Sequence, residues 1–142
     1  MKTQRLASQL ELRAAEALKS LLGQVSAIKL REIKRESQGR GRTAEILAHI
    51  DVYGHSHTLA CEVKAEADPR NLRDVLRELR QSTAHFSREA TPVLIAPYLS
   101  PEAQALCNES HAAFLDLEGN ARLALGEVFI GKRSVTHQPV AR

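Results

Sequence analysis

Two runs of alternating apolar and polar residues, 46–52 and 58–65, constrain the fold of this chain more than any other stretch. Alternation with a period of two is typical of β-strands that bury one face. The sequence between the runs, Tyr53-Gly54-His55-Ser56-His57, contains the glycine and polar residues that a tight connection favours. The stretch Ile46 to Ala65 therefore predicts two antiparallel strands joined by a short turn.

Charged residues lie near the end of each predicted strand. Asp51 closes the first strand, and the triplet Glu62-Val63-Lys64 closes the second. We expect Asp51 and Glu62 to lie near each other on neighbouring strands, with Lys64 on the same face as Glu62. Converging carboxylates repel unless a cation relieves the repulsion, and a hard cation such as Mg²⁺ prefers such oxygen ligands. The spacing alone favours this site no more than a surface hairpin with solvated side chains, because short motifs match by chance.

Length and composition indicate an ordinary globular protein. The chain has 142 residues, of which 43% are hydrophobic and 26% charged, so we expect one domain over residues 1–131 and a loose basic tail over 132–142. The net charge of +3 is compatible with a nucleic-acid partner without requiring one. Cys61 and Cys107 fit no disulfide or zinc spacing, and a cytoplasmic setting is the simplest expectation. No run is apolar enough for a signal peptide or a membrane span.

The remaining elements follow from periodicity and capping signals. A helical stripe covers residues 3–22, and β-branched residues favour a strand over 25–36. Asp68-Pro69 begins a helix that runs to about residue 86, and Ser100-Pro101 begins another that runs to about residue 109. Apolar runs predict buried strands at 91–96 and 113–117, and a final strand at 122–125 that residues 128–130 continue.

Two groups of arginines are candidates for contacts with phosphates. Arg40 and Arg42 lie in a glycine-containing loop that can follow a nucleic-acid backbone or form a solvated turn. Four arginines recur three or four residues apart on the helix after Asp68, where they can bind phosphates or form a solvated face paired with Asp74 and Glu78. These four are Arg70, Arg73, Arg77 and Arg80.

The order of these elements and the charged residues resemble the PD-(D/E)XK phosphodiesterase superfamily. Asp51 and Glu62-Val63-Lys64 fall on the second and third strands after an N-terminal helix, and the resemblance covers about residues 3–117. The superfamily includes restriction endonucleases, Holliday-junction resolvases and RecB-type or lambda-type exonucleases, and the compact size most resembles the archaeal resolvases. The resemblance implies an α/β fold with a restriction endonuclease-like αβββαβ core, in which helices flank a mixed central sheet.

The resemblance also implies roles for individual residues. Asp51 and Glu62 match the two acids that bind the metal, and the carbonyl group of Val63 often joins them. Lys64 matches the lysine that assists the attacking water. Ile50 stands where the family nominally has proline, a common departure.

Two helical residues resemble further family positions. Glu11 resembles the helix glutamate of several subfamilies, and Glu16 is the alternative for this role. Glu11 falls at the border of the apolar stripe of the helix, whereas Glu16 falls nearly opposite the stripe. Gln81 is similar to the glutamine of the exonuclease-like branch, but His85 stands where that branch has a tyrosine. His55 and His57 offer a different, transition-metal site, although histidines in a turn more often face solvent.

These observations predict a DNA nuclease that depends on Mg²⁺, with Mn²⁺ as a substitute. The basic residues around Arg40 and Arg42 and those from Arg70 to Arg80 would hold the strand. The sequence does not decide between DNA and RNA as the substrate or between a monomer and a homodimer, and no membrane partner is expected. The alternatives are a nucleic-acid-binding or regulatory module that keeps the fold without turnover, and a relative in fold alone that binds a protein. Fold analogy does not settle function.

Overall fold

Seven strands form one mixed sheet in the order in which they occur in the sequence. The computed structural model describes residues 2–36, 43–84, 90–126 and 128–133. The predictions for Arg40, for Arg42, for His85 and for the tail from residue 134 lie outside this range. The elements are α1 (Lys2–Gly23), β1 (Ile28–Glu36), β2 (Thr43–Val52), β3 (His55–Lys64), α2 (Pro69–Ala84), β4 (Ala90–Ala96), α3 (Pro101–Glu109), β5 (Ala113–Asp116), β6 (Ala121–Leu125) and β7 (Val128–Lys132).

The strand directions give the sheet its mixed character. Strands β1 to β3 are antiparallel, β3, β4 and β5 run parallel, and β5 to β7 are antiparallel again. Helices α2 and α3 connect the parallel strands, as parallel neighbours require. This α/β arrangement, a mixed sheet flanked by helices that begins with the element order αβββαβ, confirms the predicted fold class.

One strand boundary differs from the prediction. Residues 128–130 do not continue the strand that precedes them, because they belong to the separate strand β7, which pairs antiparallel with β6. Gly126 has a φ of +60°, a left-handed conformation that glycine adopts without steric cost and that suits a tight hairpin turn.

Two apolar cores lie on opposite faces of the sheet. Helix α1 packs on one face, where Leu18 and Leu22 meet the even-numbered residues of β2, such as Ile46 and Ile50. Helices α2 and α3 pack on the other face, where the core includes Leu76. Strand β4 contributes to both cores and is buried toward its end, as expected for a central parallel strand. Among the described residues, no helix is long and apolar enough to cross a membrane.

The predicted helix starts are confirmed by their caps. The Ser100 hydroxyl accepts a hydrogen bond from the Ala103 amide at 3.1 Å, and Pro101 occupies the first turn of α3. Asp68 accepts a hydrogen bond from the Arg70 amide at 2.9 Å at the start of α2. Both caps satisfy amides that have no partner within the helix.

The carboxylate of Asp116 ties two loops to the end of β5. It is 1% exposed and accepts hydrogen bonds from the amides of Leu99, Glu118 and Asn120 at 2.8 to 3.0 Å. The side chain of Asn120 donates a fourth hydrogen bond at 2.7 Å. A buried carboxylate with this many donors is stabilised in place, and it fixes the loop that leads into α3.

We expect the substitution Asp116→Ala to lower the free energy of unfolding by about 3 kcal/mol, because it leaves buried amides without acceptors. Chemical denaturation followed by circular dichroism would measure the change. The matched control is Glu66→Ala, which removes an exposed carboxylate and should change the free energy by less than about 0.5 kcal/mol. Equal effects for the two variants would contradict this role for Asp116.

Candidate active site

The register of the β2–β3 hairpin decides which acidic residues meet. The turn contains two residues, Tyr53 and Gly54, with φ of +50° and +83°, and His55 already belongs to β3. In this register Asp51 is opposite Ser56, whereas Glu62 is opposite Glu45. The prediction that Asp51 lies near Glu62 is therefore wrong. Ser56, the partner of Asp51, precedes Glu62 by six residues on β3, a distance of about 20 Å at the usual rise per residue.

Asp51 instead forms part of the hairpin's closed end. It is buried, and it accepts a hydrogen bond from Nε of Arg31 at 2.5 Å. Arg31 occupies the irregularity in β1 between Leu30 and Glu32, where a bulge redirects the side chain. The hydroxyl of Ser56 lies 3.5 Å from the other carboxylate oxygen. The Asp51 carboxylate is thus neutralised by a structural ion pair.

An acidic cluster forms at the opposite end of the hairpin. Glu45 and Glu62 are directly opposed on neighbouring strands, so their side chains leave the same face with Cβ atoms about 5 Å apart. Lys64 lies on this face as well, and its Nζ is 3.7 Å from Oε2 of Glu62. Glu78 of α2 adds a third negative charge that acts on Glu62. Glu45, Glu62 and Lys64 thus lie together on the sheet, and the exposed Glu78 acts on them through its charge.

The electrostatics of this cluster centre on Glu62. Burial raises the pKa of the Glu62 carboxyl above its usual range, while Lys64 acts against this rise. The charges of Glu45 and Glu78 raise the pKa further, since each neighbouring carboxylate disfavours ionisation. Like charges placed directly opposite each other in a sheet are destabilising. The arrangement is therefore unfavourable for the protein on its own and favourable for a bound cation.

Residues of α2 close the cluster on one side. A shallow depression beside Glu45 and Glu62 is lined by Leu79, Ser82 and Thr83 of the helix and by Leu47 and Ala60 of the sheet. The Ser82 hydroxyl is bonded to backbone carbonyls of its own helix. The acidic side chains thus stand at the border between an apolar floor and solvent, where electrostatic interactions are stronger than in open water.

The donor set fits a hard divalent cation held by few protein ligands. No group of three or more His, Cys, Asp or Glu side chains within the described ranges converges as a complete metal cage. Mg²⁺ commonly takes only one or two carboxylates and fills its remaining positions with water and substrate phosphate. Glu45 and Glu62 meet that requirement. The side chain of Val63 packs in the core on the other face of the sheet, and a role for its carbonyl group remains a prediction.

Glu11 does not join this cluster. Cys61 and Val63, the neighbours of Glu62, pack on the α1 face, so Glu62 points away from α1. Glu11 lies on the α1 side, buried, with Oε1 3.8 Å from Nε of Arg35. Its Oε2 has no hydrogen-bond partner among the described residues. Glu16, the alternative, is exposed.

Gln81 also lies apart from the carboxylates. It is exposed and lines a groove with Arg73, Arg77 and Arg80, whereas Ser82 lines the depression beside Glu62. The histidines do not assemble a metal site in the part of the chain that the structure describes. His55 is exposed, and His49 lies 3.2 Å from the hydroxyl of Thr58.

Sequence reasoning missed Glu45 and Glu78. The signal for Glu45 was the length of the turn: a two-residue turn at Tyr53-Gly54 pairs residue 45 with residue 62, whereas a five-residue turn does not. Tyr-Gly is an unusual pair for such a turn, because tyrosine rarely adopts a positive φ. Glu78 is exposed on α2 one turn before Ser82, and no sequence signal distinguishes it from the other charged residues of that helix.

The comparisons with known proteins give little independent guidance. No protein-family model matches the chain, and no curated protein matches its sequence. A solved structure described as EndoMS in apo form is similar, with a TM-score of 0.44 and 18% identity, over 72% of this chain. The chain spans 45% of the length of that one. A likeness at this level does not assign a function, and we take the function from the geometry of the site.

We expect Glu62→Gln to raise the melting temperature by about 2–4 °C at neutral pH without added divalent cations. A carboxyl whose pKa is raised by folding binds its proton more tightly in the folded protein. Wild-type stability relative to the variant therefore falls as pH rises through the pKa of the unfolded chain and then that of the folded one. The difference should vanish below about pH 4. Differential scanning fluorimetry from acidic to neutral pH would measure it.

The control for this prediction is Glu66→Gln, which removes the same charge from an exposed position and should leave the melting temperature nearly unchanged. A lower melting temperature for Glu62→Gln at neutral pH would show that the carboxylate stabilises the protein, contrary to our account of the cluster.

Proposed function

We propose that this protein is a metal-dependent nuclease that hydrolyses phosphodiester bonds in DNA. The supporting observation is the pairing of Glu45 with Glu62 across two strands, with Lys64 in contact with Glu62. Two opposed carboxylates and an ammonium group form a site that suits a divalent cation and a phosphate together. The arrangement on a restriction endonuclease-like fold adds to this proposal by analogy alone.

Glu45 and Glu62 are the residues that would hold Mg²⁺, or Mn²⁺ in its place, with the Val63 carbonyl as a further ligand proposed from the sequence. Glu45 thus takes the position that the sequence analysis gave to Asp51. A bound ion of this kind acts as a Lewis acid on a phosphoryl oxygen and makes its bound water more acidic.

Lys64 and Glu78 supply the remaining chemistry of the proposed site. The Lys64 ammonium group, 3.7 Å from Glu62, donates hydrogen bonds that orient a water molecule and offset the charge that builds on the phosphate. The exposed Glu78 of α2 adds negative charge that acts on Glu62, which favours a bound cation. The apolar floor formed by Leu47, Ala60 and Leu79 limits the access of bulk water to these groups.

We expect Glu45→Gln, Glu62→Gln and Lys64→Ala each to lower the rate of DNA cleavage at least about 100-fold. The measurement is cleavage of a panel of single-stranded, linear duplex and branched DNA with Mg²⁺ or Mn²⁺. The matched control is Asp51→Asn, which removes a carboxylate at the other end of the same hairpin and should retain activity if the variant is folded.

The same control decides whether Asp51 or Glu45 is the acidic residue that acts together with Glu62. Loss of cleavage in Asp51→Asn, with Glu45→Gln active, would restore the assignment made from the sequence and overturn ours. DNA binding without cleavage of any substrate by wild-type protein would favour a non-catalytic nucleic-acid-binding module.

Cation binding can be tested without activity. We expect Mg²⁺ or Mn²⁺ to raise the melting temperature of wild-type protein in proportion to the logarithm of its concentration, since a ligand of the folded state stabilises it by mass action. Glu45→Gln and Glu62→Gln should lose most of this response, because each removes one of two anionic ligands, and Asp51→Asn should keep it. An equal response in all four proteins would place the cation elsewhere.

A further inference from the structure

A second charged feature lies between α2 and α3. Three arginines of α2, together with Gln81 and Ala84, line a groove of about 390 Å³ that Ser110 closes at the end of α3. The arginines are Arg73, Arg77 and Arg80, and we call this feature the arginine groove. Among the residues that the structure describes, its polar lining consists of guanidinium, amide and hydroxyl groups, and none of these lining residues is acidic.

The arginine groove and the acidic cluster lie on opposite flanks of the same helix. The buried stripe of α2 includes Leu72, Leu76, Leu79 and Thr83. At about 100° per residue, Ser82 falls about a quarter-turn and Glu78 more than a third of a turn to one side of this stripe, and Arg73, Arg77 and Arg80 fall to the other. The arginines therefore face α3 and do not face Glu62, so they serve a different part of any ligand than the cluster does.

The guanidinium groups are available to an external anion. Arg73 lies 3.8 Å from Glu109, and Arg77 pairs with Asp74, but all four side chains in these pairs are more than 60% exposed. Exposed ion pairs contribute about 0–1 kcal/mol and exchange partners readily. No ion pair joins Arg80 to another residue in the described part of the chain. The two acids weaken the positive potential at the margin of the groove without contributing to its lining.

We propose that the arginine groove binds the phosphodiester backbone of the nucleic acid, at a segment beyond the one that reaches Glu62 and Lys64. This inference rests on the proposed function for the nature of the ligand, and it adds that the bound strand spans helix α2. Guanidinium groups match the geometry of phosphate oxygens, which accept two hydrogen bonds from one arginine. Spacings of three and four residues place the three groups in a row, as a backbone with regularly repeated phosphates requires.

The test is equilibrium binding of a DNA strand longer than about 16 nucleotides, measured over a range of salt concentrations with a chelator present so that nothing is cut. We compare wild-type protein with Arg73→Gln/Arg77→Gln/Arg80→Gln and with the single variant Arg80→Gln. Each lost phosphate contact reduces the slope of log K against log salt by about 0.7 for a single strand. We expect a reduction of about 2 for the triple variant and about 0.7 for Arg80→Gln.

The matched control is Arg13→Gln/Lys19→Gln/Lys29→Gln, which removes three exposed positive charges elsewhere and should leave the slope within about 0.5 of wild type. An unchanged slope in the arginine-groove variants, or an equal fall in the control, would overturn the proposal. So would competition by an acidic peptide that is as effective as competition by DNA.

The salt dependence of DNA binding tests the groove proposal, and cleavage by the wild-type protein tests the nuclease proposal, so the two results are independent. If wild-type protein cuts DNA while the arginine-groove variants bind and cut as it does, the groove proposal fails and the nuclease proposal stands. If the slope falls as expected but wild-type protein cuts nothing, the groove binds DNA and the nuclease proposal fails.

Discussion

Repulsion between Glu45 and Glu62 is the interaction on which this account of the molecule depends. The register of one hairpin places the two carboxylates directly across from each other, and Glu78 adds a third negative charge from the helix. Burial is the largest cause that raises the pKa of Glu62, Lys64 acts against this rise, and the charges of Glu45 and Glu78 add to it. Opposed like charges cost stability, and the proposed site for a cation and a phosphate gives this cost a function.

The rest of the structure holds this arrangement in place. Ile46 and Val63, which alternate with the acidic residues, are buried in the core beneath α1, so the strands cannot slip by one residue without exposing an apolar face. On the other face α2 is anchored by Leu72 and Leu76. The Arg31–Asp51 ion pair lies at the far end of the hairpin, away from these carboxylates. The two cores thus determine the register that places Glu45 opposite Glu62.

Much of the fold was predictable from the sequence, because the signals that specify it are local. The caps at Asp68 and Ser100, the apolar run of β4 and the helical stripes each identify an element without reference to the others. The triplet Glu62-Val63-Lys64 was placed correctly at the end of its strand. The parallel arrangement followed from helices that alternate with strands.

The partners of Glu62 were not predictable in the same way, because they depend on register and on three-dimensional packing. The two-residue turn with tyrosine at positive φ places Glu62 opposite Glu45. A five-residue turn would place Glu62 opposite Ala48, and neither turn places it opposite Asp51. Helix α1 packs on the face of the sheet opposite to Glu62, which separates Glu11 from the cluster. The flank of α2 that carries the arginines was readable from helical geometry, but the position of α3 beside it was not.

The most direct test of the central claim is a double-mutant cycle between Glu45 and Glu62, with metal-dependent DNA cleavage as the readout. If the two carboxylates act together on one cation, the double variant Glu45→Gln/Glu62→Gln should be no slower than either single variant, since the first substitution already abolishes the shared interaction. Independent, additive losses would contradict the account, as would cleavage by Glu45→Gln at the wild-type rate.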